Sequence, residues 1–282
     1  MRNGNGDTAA RASRSQRFNM LKQRIFTAVL AVLLLFVVLF VLPATIARSV
    51  IAAVILVGAW EWAPFVGLSR PAQRLLFVSI VAGSLAVLQF QLLYGLVTVN
   101  AVFVIAVVWW FAAFVWILLY PTPVPKVLAW IAGFAVLLPA WLALDLVYRH
   151  SSALLLFMLV IVWAADVGAY FAGKRFGNVK LAPHISPGKT WEGVVGGLLL
   201  VTLLGAFGAS YFDRPLAMML PFCMAIGLVS VVGDLTVSLF KRSAGIKDSG
   251  RIFPGHGGLL DRIDSVAAAA PLFALGTHWA GL

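Results

Sequence analysis

Apolar and polar residues alternate along this chain in long blocks rather than in the short periods of a soluble fold. Nine apolar runs, near 25–42, 49–68, 75–93, 96–119, 127–147, 152–173, 193–212, 215–240 and 264–281, each come close to a spanning length. A helix needs about 20 residues to cross the hydrocarbon core. Lipid offers no partner for backbone N–H and C=O groups, so these runs are expected to be helices. The pattern predicts an all-α polytopic membrane protein with about nine transmembrane helices. Residues 1–24 are polar and carry six Lys and Arg, and they read as a disordered cytoplasmic tail. Residues 25–282 read as a single integral membrane domain. The first run has 18 residues, more than the about 7–15 of a signal-peptide core, so it is taken as the first span.

Composition narrows the class. Hydrophobic residues make up 62% of the chain and charged residues 11%, against about 25% charged in soluble domains. That excludes a soluble enzyme, a disordered chain and a disulfide scaffold, and the lone Cys223 leaves no intrachain disulfide. The net charge of +11 does not point to nucleic acid, because the cations are divided among short polar pieces between apolar runs. With the N-terminus inside and the C-terminus outside, 18 of the 21 Lys and Arg fall on one side, as the positive-inside rule requires. The expected location is the cell's inner (cytoplasmic) membrane. Loops 174–192 and 241–263 are long, basic and rich in Gly and Pro, and they fall on the cytoplasmic side, where an active site is expected.

The acidic residues give the loops a chemistry. Asp7, Asp145 and Asp213 sit in the tail or at outer helix ends and read as solvated or capping. Asp166 lies eight residues before Lys174, and Asp234 seven before Lys241, which puts both about 10–12 Å below the cytoplasmic boundary. Carboxylates inside a membrane are costly and mark functional sites. Glu61, between Trp60 and Trp62, also lies in the inner half of its span but has no motif around it. Asp261 and Asp264 open the last span three residues apart, on one helix face. Hard oxygen donors beside a basic loop suit Mg²⁺, which takes a few carboxylates plus substrate phosphates.

The second loop alternates Lys241, Arg242, Lys247 and Arg251 with glycines and ends in Gly255-His256-Gly257-Gly258. Glycine lets backbone N–H groups approach an anion closely, and the cations neutralise phosphate oxygens. His256 reads as a phosphate contact, with general base and metal ligand as alternatives. The first loop holds Ser186-Pro187-Gly188-Lys189-Thr190. It is not a P-loop, because Pro183 occupies the place of the first glycine and no buried strand precedes it. Ser186, Lys189 and Thr190 instead stand at a helix N-terminus, whose dipole favours an anion.

From Ser238 to Asp264 these residues resemble the motif of the phosphatidate cytidylyltransferases, or CDP-diacylglycerol synthases. Ser238, Lys241, Arg242, Lys247, Asp248, Gly250, Phe253, Pro254, His256, Gly257, Gly258, Asp261, Arg262 and Asp264 fill that pattern over 27 residues. Asp166-Val167-Gly168-Ala169-Tyr170 and the Ser186–Thr190 loop are also similar to this family, although relatives often carry a second lysine where Gly188 stands. The resemblance implies that CTP and phosphatidate give CDP-diacylglycerol and pyrophosphate, with one or two Mg²⁺ ions and a homodimer. It implies Asp234 and Asp261, then Asp264, Asp248 and Asp166, as metal ligands. Asp261, Asp264, Lys241, Arg262 and His256 are the expected catalytic residues. Ser186, Lys189, Thr190, Ser238, Arg242, Lys247, Gly257 and Gly258 are expected to bind substrate. The alternatives are a CTP-dependent enzyme on another lipid phosphate and a transporter of phosphorylated solutes. The second fits poorly with polar residues gathered in one half and on one face.

Overall fold

The computed structural model describes residues 29–250, 257–280 and 282. The tail 1–24, Phe253, Pro254 and His256 lie outside the described residues. The helices in chain order are α1 Val29–Phe40, α2 Ala44–Trp62, α3 Pro71–Leu93, α4 Val99–Leu119, α5 Lys126–His150, α6 Ser152–Phe176, α7 Trp191–Tyr211, α8 Leu216–Ser243 and α9 Leu260–Ala280. A 3-10 turn, Ala63–Val66, extends α2. Local chemistry sets the ends. Pro43, Pro125 and Pro215 stand immediately before α2, α5 and α8, where a missing N–H is harmless. Ser151 and Thr190 cap α6 and α7 by accepting from the amides of Leu154 and Gly193.

Among the described residues seven helices, α2 through α8, are long and apolar enough to cross a membrane, where nine spans were expected. The described part of α1 is shorter than a span. Helix α9 has 21 residues, but it is alanine-rich and opens on Asp261, Arg262 and Asp264. Its position explains this composition. It runs against α8, α5, α4, α6 and α2, and Ala267, Ala268, Ala269, Ala270 and Phe273 are all buried. A helix surrounded by protein needs small side chains for close approach rather than long apolar ones for lipid. Helices α3 and α4 are the converse, with Leu75, Leu76, Ile105 and Phe111 exposed along their outer faces.

The long loop expected over 174–192 is partly ordered as an antiparallel hairpin, β1 Lys180–Ala182 with β2 Ser186–Thr190. Its anchor is a small apolar cluster in which Ala182 and Ile185 meet Leu235 and Leu239 of α8. Glu192 completes it by accepting from the amide of Val179 at 3.0 Å. The hairpin is carried by the tightest seam of the bundle, between α6 and α7. A Cβ at Gly168 would lie 2.7 Å from the Gly196 carbonyl oxygen, and one at Gly197 would lie 2.6 Å from that of Ala165. Both helices therefore keep small residues where they cross.

Asp145 corrects the expectation of a solvated or capping acid. It is 1% exposed. Arg48 holds it through Nε at 2.6 Å and through its second fork nitrogen at 3.1 Å, and Arg149 Nε adds a contact at 3.2 Å. Arg48 thus ties α2 to α5, and Arg149 pairs with Asp145 one turn away on α5 itself.

Candidate active site

The hairpin delivers Lys189 to α8. Lys189 Nζ lies 2.6 Å from Asp234 Oδ2, and Ser238, one turn along α8, donates to Asp234 Oδ1 at 3.2 Å. Arg242, a further turn along, donates from Nε to the Ile185 carbonyl at 3.2 Å and holds the hairpin turn against the helix end. Beside this pair is a cavity of about 370 Å³ whose walls include Asp166, Tyr170, Lys174, Lys189, Thr190 and Asp234. The two intramembrane acids on α6 and α8 therefore line one polar space. Thr190 is buried, and its hydroxyl caps α7.

A second cluster lies at the junction of α8, the following loop and α9. Lys241 Nζ is 2.7 Å from Asp261 Oδ1, with both side chains about nine-tenths buried. Asp261 Oδ2 accepts from the amides of Ser249 at 3.1 Å and Gly258 at 3.0 Å. One carboxylate thus fixes an ammonium with one oxygen and both ends of the loop with the other. Lys241 sits at i+7 from Asp234 on the same helix, so the two clusters are joined along α8 through Ser238.

The remaining expected residues divide by exposure. Asp264 is buried, and its Oδ1 accepts from the Ser265 amide at 2.7 Å. Ser186 is half-buried in β2, and Gly257 and Gly258 lie at the start of the approach to α9. Arg242, Lys247, Asp248 and Arg262 are exposed. The five expected metal ligands do not converge on one point. Among the described residues no group of three or more His, Cys, Asp or Glu is arranged to hold a metal ion. Asp166 and Asp234 share the cavity, Asp261 is engaged by Lys241 and two amides, and Asp248 stands apart in the loop.

Sequence reasoning left Glu61 without a role, yet it reaches the second cluster from α2. Its Oε2 accepts from Ser249 Oγ at 3.0 Å and from the Leu260 amide at 2.7 Å. The signal available was an acid inside an apolar run. Its partners, at separations of 188 and 199 residues, were not legible.

Next to the polar cavity is a groove of about 460 Å³ lined by apolar side chains of α4, α7, α8 and α9, among them Phe111, Phe114, Leu228 and Leu272. Leu181, Val194 and Val231 belong to the walls of both spaces. A cationic, carboxylate-bearing cavity that shares walls with an apolar groove can hold an amphiphile with a phosphate head.

Residues 22–279 match the cytidylyltransferase family. The chain is 42% identical over 267 residues to a phosphatidate cytidylyltransferase of Pseudomonas aeruginosa, covering 90% of this chain and 96% of that protein. It is 37% identical over 283 residues to one of Haemophilus influenzae, covering 90% of this chain and 98% of that protein. Against one of Synechocystis it is 51% identical over 116 residues, 39% of this chain and 38% of the other.

Proposed function

The chain belongs to the cytidylyltransferase family, and from that premise we infer that it is a phosphatidate cytidylyltransferase. It is a multi-pass membrane enzyme that joins CTP to phosphatidate, forming CDP-diacylglycerol and releasing pyrophosphate. The observation that carries this reading is the sharing of walls between the Lys189–Asp234 cavity and the apolar groove.

The phosphatidate phosphate attacks the α-phosphorus of CTP, and the bond to the β-phosphate oxygen breaks. The nucleophile is already ionised, so no strong base is needed. The barrier is repulsion between two polyanions and charge on the transferred group, and positioned cations lower it most. Lys189 and Lys241, each held by a carboxylate, are fixed rather than swinging charges. Arg242, Lys247 and Arg262 add exposed cations on α8, on α9 and between them. Asp166 and Asp234 offer two hard carboxylates on one cavity wall, and Mg²⁺ commonly takes one or two carboxylates together with substrate phosphates. The Lys189 ammonium at 2.6 Å occupies a cation position on Asp234, so the donor set fits such an ion. When bound there, Mg²⁺ supplies charge neutralisation and polarisation of the phosphoryl oxygens.

The diacylglycerol part lies in the groove between α4 and α8. Purified protein with Mg²⁺ and labelled CTP should form CDP-diacylglycerol and pyrophosphate only when phosphatidate is added. Release of label without a lipid product would overturn the assignment. Leu228→Trp, which fills the groove away from the cations, should raise KM for long-chain phosphatidate about tenfold. That corresponds to about two displaced methylenes at about 0.8 kcal/mol each. KM for CTP and for a short-chain phosphatidate should be unchanged. An equal rise for both chain lengths would place the acyl chains elsewhere.

The site faces the cytoplasm across the inner membrane, with the N-terminus inside, the C-terminus outside, and the protein a homodimer. The 18-to-3 division of basic residues supports this orientation. In a Cys223→Ala background, single cysteines at Ser13 and Gly281 should react from opposite sides with an impermeant thiol reagent. Reaction of both from one side would require an even number of spans.

A further inference from the structure

We infer that Glu61 is a positioning residue for the transfer site, holding Ser249 and the first turn of α9 on one carboxylate oxygen and so setting the direction in which α9 starts. The inference rests on reading the Lys241–Asp261 pair as part of the cytidylyltransfer site. Glu61 is 1% exposed and belongs to α2, which supplies no other candidate site residue. Its Oε2 takes one hydrogen bond from each end of the loop, from Ser249 Oγ and from the Leu260 amide. The Leu260 amide is an unpaired first-turn donor of α9, so Glu61 caps α9 from another helix, with a negative charge at the positive end of its dipole.

The backbone is shaped around this carboxylate. A Cβ at Gly250 would lie 2.6 Å from Glu61 Cδ, and one at Gly258 would lie 2.7 Å from it. The two glycines therefore serve close approach to a buried acid as well as any approach to phosphate. Asp261 collects the same loop ends from the other side through the Ser249 and Gly258 amides. Lys241 pairs with Asp261, whereas Glu61 bonds to Ser249 and Leu260. Its effect on catalysis runs through the orientation of the first turn of α9, and hence through the Asp261 carboxylate that holds Lys241.

The test pairs kinetics with hydrogen–deuterium exchange on the full-length protein in detergent. Glu61→Ala should lower kcat 10- to 100-fold with KM for CTP within threefold. It should also speed exchange in peptides covering 257–264 at least tenfold while α5 and α6 stay protected. Glu61→Gln keeps an oxygen that accepts both bonds and should restore turnover to within fivefold of the parent. Glu61→Asp, one methylene short, should not. Turnover and exchange both unchanged in Glu61→Ala would overturn the inference, as would Glu61→Gln behaving like Glu61→Ala, which would make the charge rather than the geometry decisive. If Glu61→Ala does not fold, Gly258→Ala carries the test, because its methyl would collide with both Ser249 Oγ and Glu61 Oε2, must part that hydrogen bond, and should give the same faster exchange. Protected peptides in Gly258→Ala would overturn the inference. The exchange arm reads Glu61 without reference to the reaction. A parent enzyme that makes no CDP-diacylglycerol would instead defeat the activity assignment.

Discussion

Asp234→Asn protein is expected to insert, fold and melt close to the parent, yet turn over CTP at least about 100- to 1000-fold more slowly, the loss seen when one preorganised electrostatic group is removed from a transition state. The expectation follows from where the charge stands. Its side chain is 28% exposed, and its partner Lys189 lines the same cavity. A pair open to solvent over about a quarter of its side-chain surface is screened and contributes modestly to stability. In the proposed reaction, Asp234 would hold Lys189 in register against the substrate phosphates. Asp145→Asn is the matched control. That carboxylate is buried between Arg48 and Arg149 at the opposite end of α2 from Glu61. Because both arginines keep more than a third of their side-chain surface exposed, neutralising Asp145 should cost about 1–3 kcal/mol of stability, with kcat per folded molecule unchanged. Near-normal turnover in Asp234→Asn would remove this residue from the chemistry.

Asp261→Asn should also abolish most activity, for a different reason. Its two oxygens hold Lys241 at 2.7 Å and two loop amides. An amide in its place loses the ion pair and turns an NH₂ group toward a donor. Removing one partner of a buried pair costs about 3 kcal/mol or more, and about 150-fold in rate when the pair is needed in the transition state. The discriminating measurement is a cycle with Lys241→Met. If Asp261 acts by holding Lys241, the double variant should be no slower than the worse single one, because both remove the same device. If Asp261 binds the metal independently, as the sequence motif implied, the two losses multiply.

These two aspartates illustrate what could be read from the chain alone. Asp234 announced itself as a carboxylate in an apolar run, at the same depth as Asp166, and the two do line one cavity. Helix positions were likewise legible, because apolar length is a local property and lipid permits little besides a helix. What escaped was everything set by distant partners. Nothing near Glu61 or Asp145 in the sequence says that one meets Leu260 and the other Arg48. The hairpin at 180–190 escaped because its two strands are too short for a period to appear, and its docking depends on Leu235 and Leu239 of α8. The composition of α9 reads as a weak span only until its neighbours are known. Its alanines are the imprint of five helices crowding around it.

The bond from Glu61 to Leu260 also sets a clock on the enzyme's birth. Its partners are 199 residues apart, and at about 5–20 residues per second the ribosome needs about 10–40 s to supply the second after the first. Throughout that interval α2 sits in the membrane with a carboxylate whose cap target has not been made. Helix α9 both packs against five other helices and brings that amide, so no nascent chain that lacks it can assemble the site. Catalysis therefore cannot begin before α9 has been made, and a ribosome that stops short of it leaves an inactive protein rather than a partly active one.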